Sequence, residues 1–304
     1  MDSRSNILVI GLGQTCVDYI GRINNYPKED EKSELLDLKK GFGGPAATAM
    51  VTLARFGIAT SFLGSVSNDE FGQGMVENLK RENVDTSQLK IQDGHSSQFA
   101  FIAVTKDSAK RTIFWHRGTS PQLEPEDVDL SIFTGAKALL VDGLMIRASV
   151  EAAIQARKKG MQVIMDAGTF REGSGELMNH IDILIASEHF ADPIMGKNAD
   201  HEKALRFLMD FGPKTVIITL GEKGSIGVHG DQVFFQDAIP VSPIDTTGAG
   251  DVYHGAYIYG LLQDWRMQTC MRFASAAAAL NCKSTGAQNG IPRLADVFKI
   301  LSGN

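Results

Sequence analysis

The chain has 304 residues, 43% of them hydrophobic and 22% charged, enough for one large α/β domain or two small ones. Thirty basic against 36 acidic side chains give a net charge of −6. No basic surplus is available to neutralise nucleic-acid or anionic-membrane phosphates, so neither is an expected partner. The three cysteines, Cys16, Cys270 and Cys282, are widely spaced and form no CxxC pair. They read as reduced thiols of a cytoplasmic protein rather than as zinc ligands or disulfides. No apolar stretch approaches the roughly 18 residues of a membrane span, and the first apolar run is too short for a signal peptide.

In chain order, short apolar runs end in a small or polar residue. They are residues 7–10 before Gly11, 138–141 before Asp142, 163–165 before Asp166, 181–186 before Ser187, and 216–218 before Thr219. Continuous runs of this length suit strands buried on both faces. Helical patterns lie between them, at residues 149–159 and 201–211; the first ends in Lys158-Lys159-Gly160, a basic last turn followed by a C-cap glycine. The alternation predicts a doubly wound, mostly parallel sheet with helices on both faces. Ligands in such sheets bind beyond the carboxyl ends of the strands, which brings Gly11, Asp142, Asp166, Ser187 and Thr219 towards one edge. Residues 14–40 and 97–117 break the rhythm. The second region reads as a hairpin turning at residues 106–110, and both are expected to form a small β lid or an edge extension.

The sequence Asp245-Thr246-Thr247-Gly248-Ala249-Gly250-Asp251 precedes an apolar helical stretch. Thr246 or Thr247 can cap the helix start. The glycines admit close approach of backbone amides, and the helix N-terminus favours an anion. Asp251, in the first turn, is placed to take a proton from an attacking hydroxyl. The dipole alone also favours Asp there, so spacing leaves a plain helix entry open. Residues 41–49, GFGGPAATA, form a second glycine entry with Pro at the first helical turn. Gly11-x-Gly13 is the start of a dinucleotide fingerprint, but Cys16 occupies the third glycine's place, which weakens a nicotinamide reading. The seven histidines show no metal-ligand spacing.

The Asp245–Asp251 turn followed by Val-Tyr-His-Gly-Ala closely resembles the C-terminal signature of the PfkB, ribokinase-like carbohydrate kinases. Residues 41–49, 53–57, 62–72, 218–224 and 274–292 continue the likeness. The resemblance implies a single ribokinase-like α/β domain over residues 1–304 and ATP-dependent phosphorylation of a sugar hydroxyl. It makes Asp251 the base, with Gly248, Ala249 and Gly250 supplying anion-hole amides. Substrate would meet Asp18, Gly43, Gly44 and Thr48, the last standing where the family usually has Asn. Nucleotide would meet Ser187, Thr219, Gly221, Gly224, Thr247 and Asn281. Asp245 and Glu188 are the candidates near Mg²⁺, with a K⁺ site nearby. Ser187 and Phe190 depart from the family's Asn-x-x-Glu. Lys32 and Arg117 are candidates for an anionic substrate group. The closest likeness is to ketohexose-type and sulfofructose-type kinases, and the lid implies a homodimer. A nucleoside kinase, with Phe101, Phe114 and Trp115 as base platform, and a catalytically inactive binding protein are the alternatives.

Overall fold

The computed structural model describes residues 6–197 and 199–303. The strands are β1 (Val9–Leu12), β2 (Cys16–Ile23), β3 (Asp37–Gly43), β4 (Thr60–Ser67), β5 (Val84–Asp85), β6 (Leu89–Gln92), β7 (Phe99–Thr105), β8 (Arg111–His116), β9 (Ala138–Val141), β10 (Gln162–Ala167), β11 (Ile183–Ser187), β12 (Thr215–Thr219), β13 (Ser225–His229) and β14 (Gln232–Gln236). The helices are α1 (Pro45–Arg55), α2 (Glu70–Arg81), α3 (Ile146–Lys158), α4 (Ser174–Met178), α5 (Asp192–Met195), α6 (His201–Met209), α7 (Ala249–Leu262), α8 (Met267–Asn281) and α9 (Leu294–Leu301).

The main sheet runs β14-β13-β12-β11-β10-β9-β1-β4-β5, with β6 also paired to β4. It is parallel from β12 to β5, and only β13 and β14 run antiparallel. Its central strands are apolar throughout because each residue has a core to enter. Val9, Leu140, Ile164, Ile185 and Ile217 join α1, α7 and α8 on one face. Their neighbours Ile10, Leu139, Val163, Leu184 and Val216 join α3, α4 and α6 on the other. The doubly wound expectation therefore holds. The strand order reverses at β1, which lies between β9 and β4, so the crevice of the sheet opens beyond Leu12 and Val141.

A second sheet of four strands, in order β3-β2-β7-β8, carries the expected lid. The β7–β8 hairpin pairs Phe99 with His116 and Val104 with Arg111. The β2–β7 register pairs Asp18 with Ala100. Cross-strand partners share a face. Asp18, Ile20, Ala100, Ile102, Ile113, Trp115 and Arg111 therefore line one face, while Tyr19, Leu38, Phe101 and Phe114 line the other.

Helix α7 is apolar all round because it is sandwiched rather than laid on a surface. A Cβ on Gly255 would stand 2.7 Å from the Ala49 carbonyl of α1, and one on Gly260 would stand 2.8 Å from Cys270 Sγ. These glycines serve helix packing. Among the described residues no helix is long and apolar enough to cross a membrane.

Candidate active site

The glycine turn enters α7 through Gly248, which takes φ +77° and is the N-cap. Neither threonine caps the helix, contrary to expectation. Thr247 instead gives both its backbone N–H (2.9 Å) and its hydroxyl (2.7 Å) to Asp245 Oδ1. Asp245 Oδ2 accepts from the Gly286 amide at 2.8 Å. Asn281, fully buried, donates to the Thr247 carbonyl at 3.1 Å. Asp245, Thr247 and Asn281 thus brace the turn from behind. Asn281 and the Thr247 hydroxyl face protein rather than nucleotide, which corrects their expected role. Gly248 is held there by shape, since a Cβ would lie 2.5 Å from Ala287 Cα.

Of the three amides expected to supply an anion hole, that of Ala249 is engaged within the turn. The Ala249 amide donates to the Thr246 carbonyl at 3.3 Å, and the first bond of the helix proper runs from Val252 to Gly248 at 2.9 Å. The amides of Gly250 and Asp251 have no carbonyl partner among the described residues. Gly250 is exposed, and a Cβ on it would meet nothing within 4 Å. Open space thus faces two free amides at the positive end of a 14-residue helix.

Asp251 is half-buried in the first turn. Burial pushes its carboxyl up to about 7; the charge of Asp166 adds to this, while His254 and Arg111 oppose it. Such a carboxyl exchanges its proton near neutrality, as a general base must. Asp142 and Asp166, at the expected strand edge, are buried and raised to about 6 and about 8 by desolvation, Asp166 also by the charge of Asp142. Asp142 is held by the amides of Gln14 (2.6 Å) and Leu144 (3.1 Å).

On the substrate side, Asp18 is buried on the lid's inner face and raised to about 6, first by burial, with Cys16 opposing and Asp245 adding. Cys16 Sγ donates to its Oδ1 at 3.1 Å. Gly43 lies against the same carboxylate, where a Cβ would come within 2.2 Å of Oδ2. Gly44, at φ +96°, leaves no room for a Cβ beside the Gln14 carbonyl (2.3 Å). Thr48 is fully buried with its hydroxyl unpartnered inside α1, so it backs the wall rather than lining it. Lys32 is exposed between β2 and β3. Arg117 stacks over Trp115, 5.2 Å from its ring centroid, and borders a small cavity with Gln14, Ser97 and Gln98. Arg111, which sequence reasoning missed, reaches from β8 across the cleft and donates to Thr246 Oγ1 at 2.7 Å. Only the strand pairing, with Arg111 in register with Val104 on the cleft face, could have revealed it.

On the nucleotide side, Ser187 and Thr219 end adjacent strands and pair in register. Their hydroxyls donate to the carbonyls of Gly168 (2.9 Å) and Ala186 (3.2 Å). Gly221, at φ +59°, borders open space, but Gly224 is packed inside its own hairpin, where a Cβ would come 2.0 Å from the Gln236 carbonyl. Gly224 is therefore a turn glycine. Glu188 Oε1 lies 3.6 Å from both Lys223 Nζ and His201 Nε2, and Asp245 has given both oxygens to the turn. Phe190 is a core residue. Neither metal candidate is a free ligand, and no three His, Cys, Asp or Glu gather around one point among the described residues.

The chain resembles known proteins along nearly its whole length. Over 99% of the chain and 94% of the relative, it is 29% identical to a 5-dehydro-2-deoxygluconokinase of Clostridium perfringens. It is also 29% identical to a ribokinase of Haemophilus influenzae, over 95% of this chain and 97% of that one. The fold matches the Arabidopsis thaliana ribokinase complexed with ribose and ATP (TM-score 0.82, 24% identity, 97% and 98% of the two chains). It matches Thermotoga maritima ribokinase equally well (TM-score 0.82, 24% identity, 97% and 99%). The profile of pfkB family carbohydrate kinases covers residues 6–294. A chain matched over nearly its whole length by that family belongs to the pfkB family of carbohydrate kinases.

Proposed function

We propose that this kinase transfers the γ-phosphoryl group of ATP to a hydroxyl of a sugar or sugar acid held under the lid. The observation that carries the reading is Asp251, a carboxyl poised near neutrality beside the unpaired amides of Gly250 and Asp251. The base takes the hydroxyl proton as the alkoxide oxygen bonds to phosphorus and the bond to the ADP oxygen breaks. The two amides hold the equatorial phosphoryl oxygens. Asp18 and the Gly43 backbone orient the sugar, and the nucleotide lies along Ser187, Thr219 and Gly221. Mg²⁺ would neutralise phosphate charge when bound with the nucleotide; neither Asp245 nor Glu188, already engaged with protein groups, is offered as its ligand. ADP release across ribose, ketohexoses, 5-dehydro-2-deoxygluconate, sulfofructose and nucleosides tests the substrate class. Silence on every sugar would sink the reading. Repeating the assay in K⁺-free buffer tests the monovalent cation. For a nucleoside, Trp115 alone is on the cleft face, because Phe101 and Phe114 lie on the other.

Arg111 brings a cation to a cleft lined by buried carboxylates. It serves the incoming phosphates or an acidic substrate group. Arg111→Ala should lower kcat/KM by roughly ten- to a hundredfold through loss of a charge-assisted contact. The side chain is exposed, so Tm should stay unchanged. Steady-state kinetics with a thermal melt checks both.

The outer lid face joins Phe114 (51% exposed) and Leu38 (55%) to Tyr26, which stacks on Phe114 at 6.4 Å. A contiguous apolar sheet face of this kind supports a homodimer formed through the lid. Light scattering should give twice the chain mass, and Phe114→Glu should give the monomer. The three unpaired cysteines support a reducing, cytoplasmic compartment.

A further inference from the structure

Behind the catalytic turn lies a pair that phosphoryl transfer as described does not use. His254 stands three residues along α7 from Asp251 and is 5% exposed. Its Nδ1 lies 2.6 Å from the Gly250 carbonyl oxygen and 3.4 Å from Asp166 Oδ2. Its Nε2 lies 3.2 Å from the Ile185 carbonyl oxygen on β11. Carbonyl and carboxylate oxygens only accept. A neutral imidazole has one N–H, so one nitrogen would turn its lone pair on a carbonyl. A ring protonated at both nitrogens satisfies every contact. Moving that proton to Asp166 keeps the net charge but aims the Nδ1 lone pair at the Gly250 oxygen 2.6 Å away. Asp166 Oδ2 is buried with no hydrogen-bond partner, and the ring nitrogen 3.4 Å away places His254 to be its counter-ion.

We propose that His254 is an imidazolium with Asp166 as counter-ion, and that it is the positioning residue of the catalytic base. It anchors the Gly250 carbonyl, which fixes the peptide whose N–H belongs to Asp251. It also places a positive charge behind Asp251 that favours the deprotonated carboxylate. The inference rests on Asp251 being the base. The charged groups around the pair are few. Asp142 faces Asp166 from the end of β9, and Asp251 faces His254 from its own helix. Arg111 and Asp18 act on Asp251 from the lid. Burial is the largest influence on His254 and lowers it on balance; the Ile185 and Gly250 carbonyls and the Asp251 charge oppose that without outweighing it. Burial, and then the Asp142 charge, push Asp166 up to about 8; the contacts of the ring, not these shifts, carry the assignment.

Two measurements decide it. In His254→Gln the cation is gone but a donor remains, so Asp251 should hold its proton to higher pH. The acid limb of kcat/KM should move up by about one pH unit, with turnover below the limb falling about tenfold and recovering at alkaline pH. A uniform fall at every pH would mean the ring only fills space, and the proposal would fail. The second measurement needs no variant and no turnover. In the ¹⁵N-labelled wild-type protein at pH 7, the His254 ring should show both nitrogens protonated, assigned through its contacts with Gly250. A ring with one protonated nitrogen overturns the proposal even if His254→Gln does not fold. Asp251→Asn assayed alongside separates the two failures, because wild-type turnover there removes the base itself.

Discussion

Asp251→Asn is expected to lower kcat by about 10²–10⁴-fold, the usual contribution of a positioned general base, with little change in the KM for sugar. Asn keeps the shape and loses the ability to take a proton. The same carboxyl sets the acid limb of the wild-type rate profile near pH 7, since burial raises it to about 7. The stability consequence runs opposite to that of an ordinary paired carboxylate. In the folded protein the group holds its proton more tightly than in the unfolded chain. Its favourable contribution is therefore complete below the unfolded pKa and fades as pH rises through about 7. At pH 8 the wild type buries a carboxylate among Asp166 and Asp18, and the Asn variant does not. The variant should melt a few degrees higher at pH 8 and at the same temperature at pH 4. Paired melts and kinetics check this, and a variant that keeps wild-type turnover would displace Asp251 from the chemistry.

How far the sequence reached depends on whether a feature is local. The apolar runs before Asp142, Asp166, Ser187 and Thr219 marked parallel strands, though not their order in the sheet, because burial on both faces leaves a continuous pattern. The lid was legible as two interruptions in that pattern, although β3 continues to Gly43, past the expected end at residue 40. The glycine turn was legible because its residues are consecutive. What it does with them was not. Thr247 resembles a cap, yet its hydroxyl goes to Asp245, and that depends on the Gly286 amide arriving from 41 residues away. Asn281 looked like a pocket residue and is a brace for the same reason, its partner lying 34 residues back. Arg111 meets Thr246 across 135 residues, a pairing no periodicity encodes. The Asp166–His254 pair was split between a strand end and a helix motif, and only the packing of α7 on β11 joins them.

The two glycines of the turn make the sharpest contrast. Gly248→Ala should unfold or strongly destabilise the turn, since φ +77° disfavours a side chain and the Cβ would collide with Ala287 at 2.5 Å. Loss of activity there would say nothing about catalysis. Gly250 has no such constraint. It lies inside the first turn of α7, does not have the left-handed φ of Gly248, and has no atom within 4 Å of an added Cβ. In an ordinary helix that substitution is neutral or gains about 0.5–1 kcal/mol. Gly250→Ala should therefore raise Tm slightly while reducing kcat by about 10²-fold or more, because the methyl group occupies the space the phosphoryl group needs to reach the free amides. Stability and turnover would move in opposite directions, which no misfolding can imitate. Full activity in Gly250→Ala, with raised Tm, would mean that the γ-phosphate does not approach this end of α7.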